Sequence, residues 1–131
     1  MKAYIALFPG RKNAAPVIRY LASLAYLNMD LLDRSSYVAQ LLARDRGGKL
    51  LSRILEALRS EQTGNADAGT RSLSEATTLR GFPKWEYDEA YFQLGGMFER
   101  RNNIDEAVSA YEKVSASAPY ADIVERVRAL F

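Results

Sequence analysis

The stretch between Tyr91 and Pro119 constrains the fold of this chain more than any other. Apolar and small residues recur in it at three- and four-residue steps, first at Tyr91, Leu94, Gly95 and Phe98 and then at Ala107, Tyr111 and Val114. Such steps are the period of an α-helix, and Pro119 ends the second run. Two helices that cross closely need small residues at the crossing, here Gly95 and Ala107. The stretch therefore predicts two interlocked helices.

The same organisation recurs along the chain. Turn residues begin at Met29, Gly64 and Asn102, which are 35 and 38 residues apart. Helical periodicity fills the segments between them and predicts helices from Ala15, from Leu32 to Ala43, from Lys49 to Glu61, from Ala66 to Leu79, and from Trp85. The pattern predicts an all-α chain.

The spacing of these residues resembles the tetratricopeptide repeat (TPR), a helix pair of about 34 residues with the pattern W-x-x-L-G-x-x-Y, then A-x-x-x-F, then P. The resemblance implies one TPR-like domain over residues 1–131, a right-handed superhelical solenoid of three antiparallel helix pairs. The implied units are residues 15–44, 48–80 and 85–118, a capping helix at 120–131, and the end of a missing upstream repeat at 2–8. On this interpretation the chain is a fragment of a longer protein.

The resemblance is strong in the third unit, moderate in the second and weak in the first. Gly69 stands at the small crossing position of the second unit. In the first unit Ala22 stands where glycine is usual, but Arg34 occupies the position of a small alanine. This departure from the family pattern leaves the crossing distance in the first unit open.

The composition removes several kinds of chemistry. The chain has no cysteine and no histidine, so disulfides, thiolate nucleophiles and zinc sites built from these residues are excluded. Glu86, Asp88 and Glu89 lie close together, but we interpret them as a negative first turn that stabilises a helix N-terminus. We expect no catalysis, cofactor or metal. No apolar run is long enough to span a membrane, and the N-terminus lacks the cleavage site of a signal peptide. The sequence does not choose between a cytoplasmic and a periplasmic location.

Charge is unevenly distributed. Residues 1–60 contain ten Lys/Arg and four Asp/Glu, whereas residues 61–131 contain eight and twelve. The plain interpretation is a solvated repeat surface, and the alternatives are an anionic partner or the stacking of basic on acidic ends. Binding of nucleic acid through Arg44, Arg46, Lys49, Arg53 and Arg59 is a third, disfavoured hypothesis.

The resemblance also implies a concave groove lined by the first helix of each pair. By position, the groove residues are Arg19, Ser23, Tyr26, Ile54, Leu58, Glu61, Phe92, Gly96, Glu99 and Arg100. Family members that hold a chaperone's terminal carboxylate carry lysine and asparagine where this chain has Arg19 and Ser23, so such a tail is disfavoured. Ile54, Leu58 and Phe92 indicate either an apolar, helical ligand or burial against neighbouring repeats.

The function predicted from the sequence is that of a non-catalytic scaffold whose partner is another protein or a peptide. The alternative is an assembly spacer that associates with itself or with further repeats.

Overall fold

The computed structural model describes residues 15–44 and 48–114, and all regular secondary structure within these ranges is helical. These described residues form six helices in succession: α1 (Ala15–Asn28), α2 (Leu32–Arg44), α3 (Lys49–Gln62), α4 (Ala66–Ala76), α5 (Lys84–Arg100) and α6 (Ile104–Glu112). The all-α prediction is thereby confirmed. The segments predicted at 2–8 and 120–131 and the end of the third unit lie outside the described residues. Within the described ranges, no helix is both long and apolar enough to cross a bilayer.

The same three-residue turn joins the helices α1 and α2, α3 and α4, and α5 and α6. Its central residue has a positive φ each time, 59° at Asp30, 95° at Gly64 and 60° at Asn102. The next residue donates its N–H to the carbonyl five positions back, over 2.8, 2.7 and 2.9 Å respectively. This is the Schellman arrangement, which satisfies carbonyls that a helix end leaves free. The three turns therefore give a common register for comparing the pairs.

Small residues occupy the same two positions in every pair, seven before and five after the positive-φ residue. They are Ser23 and Ser35, Ala57 and Gly69, and Gly95 and Ala107, and all six are buried. A Cβ on Gly69 would lie 2.7 Å from the Ala57 carbonyl oxygen. The crossing is thus close in the first pair too. The small pair of the first unit is Ser23 and Ser35, one residue after the positions of Ala22 and Arg34 that the family pattern selects.

Each first helix packs on its successor: α1 contacts α3, and α3 contacts α5. The second helices fill the space behind them, since α2 also contacts α3 and α4 contacts α5. The fully buried aliphatic core follows α3 and its neighbours and comprises Leu42, Leu50, Leu51, Ile54, Leu55 and Leu73. A second cluster of Ala107, Tyr111 and Val114 joins α6 to the aromatic face of α5.

Helix α4 ends at Ala76, three residues before the predicted Leu79. The hydroxyls of Thr77 and Thr78 donate to the carbonyls of Ser74 and Glu75, each over 2.6 Å. These bonds satisfy terminal carbonyls without a further helical turn. The linker to α5 then passes through Gly81, whose φ is 99°.

Candidate functional site

An open depression of about 560 Å³ lies between the three first helices. It is lined by Leu24, Leu27 and Asn28 of α1, Leu58, Glu61 and Gln62 of α3, and Gln93 and Arg100 of α5. Leu27 is buried, and Leu24 and Leu58 are half-buried. The depression thus combines a leucine floor with a polar rim.

Two glutamines on the rim are held by hydrogen bonds that fix the orientation of their amides. Gln62 donates Nε2–H to the Leu27 carbonyl and to Asp30 Oδ1, both over 3.0 Å. Gln93 donates Nε2–H to Glu89 Oε2 over 2.9 Å. Carbonyl and carboxylate oxygens accept hydrogen bonds, so the donating end of each amide must face them.

The charged side chains of the rim neutralise each other. Arg100 donates Nη2–H to Glu61 Oε1 over 2.8 Å and Nε–H to Glu61 Oε2 over 3.0 Å. This two-bond geometry matches the guanidinium fork to the carboxylate. The pair spans α3 and α5 at the edge of the depression. A ligand at this edge therefore contacts an ion pair with no net charge.

Three of the predicted groove residues, Leu58, Glu61 and Arg100, line this depression together. Arg19, Tyr26 and Gly96 are half-buried and do not line it. Glu99 is exposed and accepts a hydrogen bond of 2.8 Å from the Tyr111 hydroxyl.

Two of the predicted groove residues are core residues, which corrects the prediction. Ser23 is fully buried, and its Oγ bonds to Ser35 across the α1–α2 crossing. Ile54 is fully buried in the main core. Phe92 is half-buried and packs on Tyr111, with ring centroids 6.0 Å apart. Burial against neighbouring helices therefore accounts for Ile54 and for much of Phe92.

The sequence prediction missed five lining residues, Leu24, Leu27, Asn28, Gln62 and Gln93, although a signal for most of them existed. Leu24 and Leu58 both lie six residues before the positive-φ residue of their turns. Three residues before the positive-φ residue of the turn are Leu27 in α1 and Glu61 in α3. Two residues before it are Asn28 in α1, Gln62 in α3 and Arg100 in α5. Counting back from the turns, rather than forward from a family pattern, selects these positions.

The carboxylates near the start of α5 differ from the prediction. Glu86, Asp88 and Glu89 are all buried, and the Tyr20 hydroxyl of α1 donates to Glu89 Oε2. Within the described part of the chain neither oxygen of Glu86 has a hydrogen-bond partner, and burial raises the pKa of Glu86 to about 8. Glu86 is therefore mostly protonated at neutral pH and adds little charge to a negative first turn. It is also closed to solvent, so no substrate reaches it in this conformation.

A second depression, of about 500 Å³, lies between α2, α3 and α4. Short polar and charged side chains line most of it, including Asp33, Ser36, Glu56, Arg59 and Ser60. It lacks the leucine floor of the first depression. In the described ranges, no group of three or more acidic side chains is placed to hold a metal ion.

Comparison of the chain with protein-family models, with curated proteins and with solved structures found no match. The resemblance to TPR units thus stays a prediction from the residues. The depression between α1, α3 and α5 is the feature of the described structure that best fits a binding role.

Proposed function

We propose that this chain is a non-catalytic protein–protein interaction scaffold, a TPR-like right-handed solenoid that presents a groove to a peptide or partner protein. The observation that carries the proposal is the depression between α1, α3 and α5. Its lining comes largely from the same turn-relative positions of consecutive first helices. Repeat proteins build extended binding surfaces in this way, one helix contributing after another.

The repeated turns and crossings support the solenoid arrangement. A common turn and a common close crossing give each helix pair a similar shape, and pairs of similar shape stack with a regular rotation. The contacts between successive first helices follow the same scheme. These features support a repeat architecture independently of any sequence match.

The lining supports binding rather than catalysis. A general acid or base must be within reach of a substrate and carry a suitable pKa. Of the ionisable side chains in the depression, Glu61 and Arg100 are bonded to each other. Glu86, a carboxyl with a strongly raised pKa, is fully buried and does not line the depression.

A peptide-display selection against the protein tests the proposal. A peptide selected on the wild type should bind the Leu58→Asn variant at least about tenfold more weakly, because one apolar floor contact is lost. Leu79→Asn is the matched control, since Leu79 is 41% exposed and lies away from the depression. Helix content and melting must stay unchanged in both variants. Selected peptides that tolerate Leu58→Asn as well as Leu79→Asn would contradict the proposal.

One observation favours the second candidate, end-to-end assembly. Ile18 and Met29 of the first pair are 42% and 58% exposed. Their turn-relative counterparts in α5 and its turn are Ala90, which is buried in the core, and Arg101, which bonds to Asp67 of the preceding pair. Among the described residues, none covers Ile18 and Met29 in the way that the third pair's counterparts are covered.

Sedimentation across a concentration series, at about 50 and 500 mM salt, tests assembly, since this range shortens the screening length several-fold. Assembly predicts a mass that rises with concentration, and Ile18→Lys should reduce the association. A monomer under all conditions would rule out end-to-end assembly and leave ligand binding in the depression as the proposed function.

A further inference from the structure

The second depression, between α2, α3 and α4, is lined by a cation that the described part of the chain does not pair. Arg59 of α3 lines this depression and is half-buried. Its Nη1 is enclosed and has no hydrogen-bond partner within residues 15–44 and 48–114. Across the same ranges, no ion pair joins its guanidinium to a carboxylate. Partial withdrawal of a guanidinium from water without a counter-charge is unfavourable, so an anionic group in the depression would stabilise it.

Two carboxylates line the same depression. Glu56 lies three residues before Arg59 on α3, and Asp33 lies on α2; both are exposed. Side chains three residues apart on a helix are neighbours, with Cβ atoms roughly 5–6 Å apart. The depression therefore offers a ligand one negative and one positive side chain side by side, and each is available because no ion pair joins them in the described structure.

We propose that this second depression binds a small zwitterion of the α-amino acid class, whose carboxylate pairs with Arg59 and whose ammonium group pairs with Glu56 and Asp33. The two charged groups of an α-amino acid are attached to the same carbon atom, which suits neighbouring side chains on one helix face. The inference goes beyond the proposed function, because the two depressions share no lining residue.

The rest of the lining favours a small, polar ligand. Half-buried hydroxyl groups come from all three helices, Ser36 of α2, Ser60 of α3 and Ser72 of α4, and each can donate or accept a hydrogen bond. The volume of about 500 Å³ is in the range of small-molecule sites, about 300–1,000 Å³. Leu32 is half-buried and Ala57 is buried, so an apolar ligand would find little apolar surface to cover.

Ligands with a charge of only one sign fit the depression less well. A phosphate dianion would be repelled by the negative charges of Asp33 and Glu56. A metal ion would be repelled by the positive charge of Arg59, and the described residues place no group of three or more acidic side chains to hold one. A ligand with one charge of each sign avoids both repulsions.

Three matched probes test the ligand class. L-serine carries both charges, L-serinamide lacks the carboxylate, and N-acetyl-L-serine lacks the ammonium group. Titrations at about pH 6, below the ordinary pKa of an α-amino group, are followed by the backbone amide NMR signals of Ser36, Ser60 and Ser72. We expect saturable shifts with L-serine and at least about tenfold weaker binding of each of the other two probes. Equal affinity of either analogue, tighter binding of inorganic phosphate, or no saturable shift with L-serine would overturn the inference.

Variants assign each charge of the ligand to its partner. Arg59→Gln should bind L-serine about tenfold more weakly and lose the preference over L-serinamide, whereas Glu56→Gln should reduce the preference over N-acetyl-L-serine. Arg53→Gln and Glu75→Gln are the matched controls, since both side chains are exposed and lie outside the depression, and they should keep both preferences. Circular dichroism checks that each variant folds. A folded Arg59→Gln variant that still prefers L-serine to L-serinamide, or a loss of affinity for all three probes alike, would contradict the assigned pairing.

Discussion

Tyr111 of α6 packs directly against Gly95 of α5, so that a Cβ on Gly95 would lie 2.6 Å from the ring carbons Cδ1 and Cε1. The Tyr111 hydroxyl donates to Glu99, and its ring packs on Phe92. One glycine therefore admits the aromatic ring that fastens the last described helix to the rest of the fold.

Gly95→Ala should destabilise the protein by about 1–3 kcal/mol, because the methyl group overpacks against Tyr111. Gly96→Ala is a control at the next position. Its Cβ would meet the flexible end of Arg100 at 3.2 Å, and alanine gains about 1 kcal/mol of helix propensity over glycine. Urea unfolding measures both variants. A Gly95→Ala variant as stable as Gly96→Ala would show that the third pair is not held by this contact.

Gly64→Ala should cost about 1–2 kcal/mol through the backbone alone. Gly64 has a φ of 95°, and no atom lies within 4 Å of a Cβ placed there, so the cost reports strain rather than a clash. Asn102→Gly, at the same turn position with a φ of 60°, should be neutral or slightly stabilising. Thermal unfolding of the two variants compares them, and a destabilised Asn102→Gly variant would argue against the shared turn.

Glu86→Gln should change the pH dependence of stability. The native protein holds a proton on Glu86 up to a pKa of about 8, whereas the unfolded chain releases it near the ordinary value of 4.5. Between these values the native state binds more protons, so stability falls as pH rises, by at most about 1.4 kcal/mol per pH unit, and levels off above pH 8. The variant lacks this slope. Urea unfolding of both proteins at about five pH values between about 5 and 9 gives the free energy of unfolding of each, and the two pH profiles are compared. Parallel curves would mean that Glu86 is not held protonated.

The Glu61–Arg100 pair should contribute little to stability, because the Arg100 side chain is 54% exposed. A double-mutant cycle with Glu61→Gln and Arg100→Gln should give a coupling of about 0.2–1 kcal/mol that fades at about 1 M salt. A coupling above about 2 kcal/mol, or one insensitive to salt, would show that the pair holds α3 and α5 together.

Local patterns predicted the helices and their turns well. The three- and four-residue periodicity placed α2 and α3 within a residue of their observed ends, because a helix is defined by contacts within one or two turns. Gly64 and Asn102 marked turns because their residue types tolerate positive φ. Gly69 and Gly95 marked close helix crossings, which leave no room for a side chain at these positions.

The sequence predicted less well which side of a helix is buried and which borders solvent. Ile54 and Leu58 are one turn apart on α3 and equally apolar, yet Ile54 is in the core and Leu58 borders the depression. Glu86 looks like a surface carboxylate in the sequence and is fully buried. These outcomes depend on which neighbouring helix covers each residue.

The sequence by itself determined the helical class, the positions of the turns and the crossings at Gly69 and Gly95, since all of these follow from local periodicity and backbone freedom. Only the tertiary structure decided that Ser23 is sealed against Ser35, that Glu86 keeps its proton, and that Gln62 and Gln93 border one depression. The physical reason is that burial, pKa and the meeting of side chains from α1, α3 and α5 depend on how separate helices pack, which no single segment encodes.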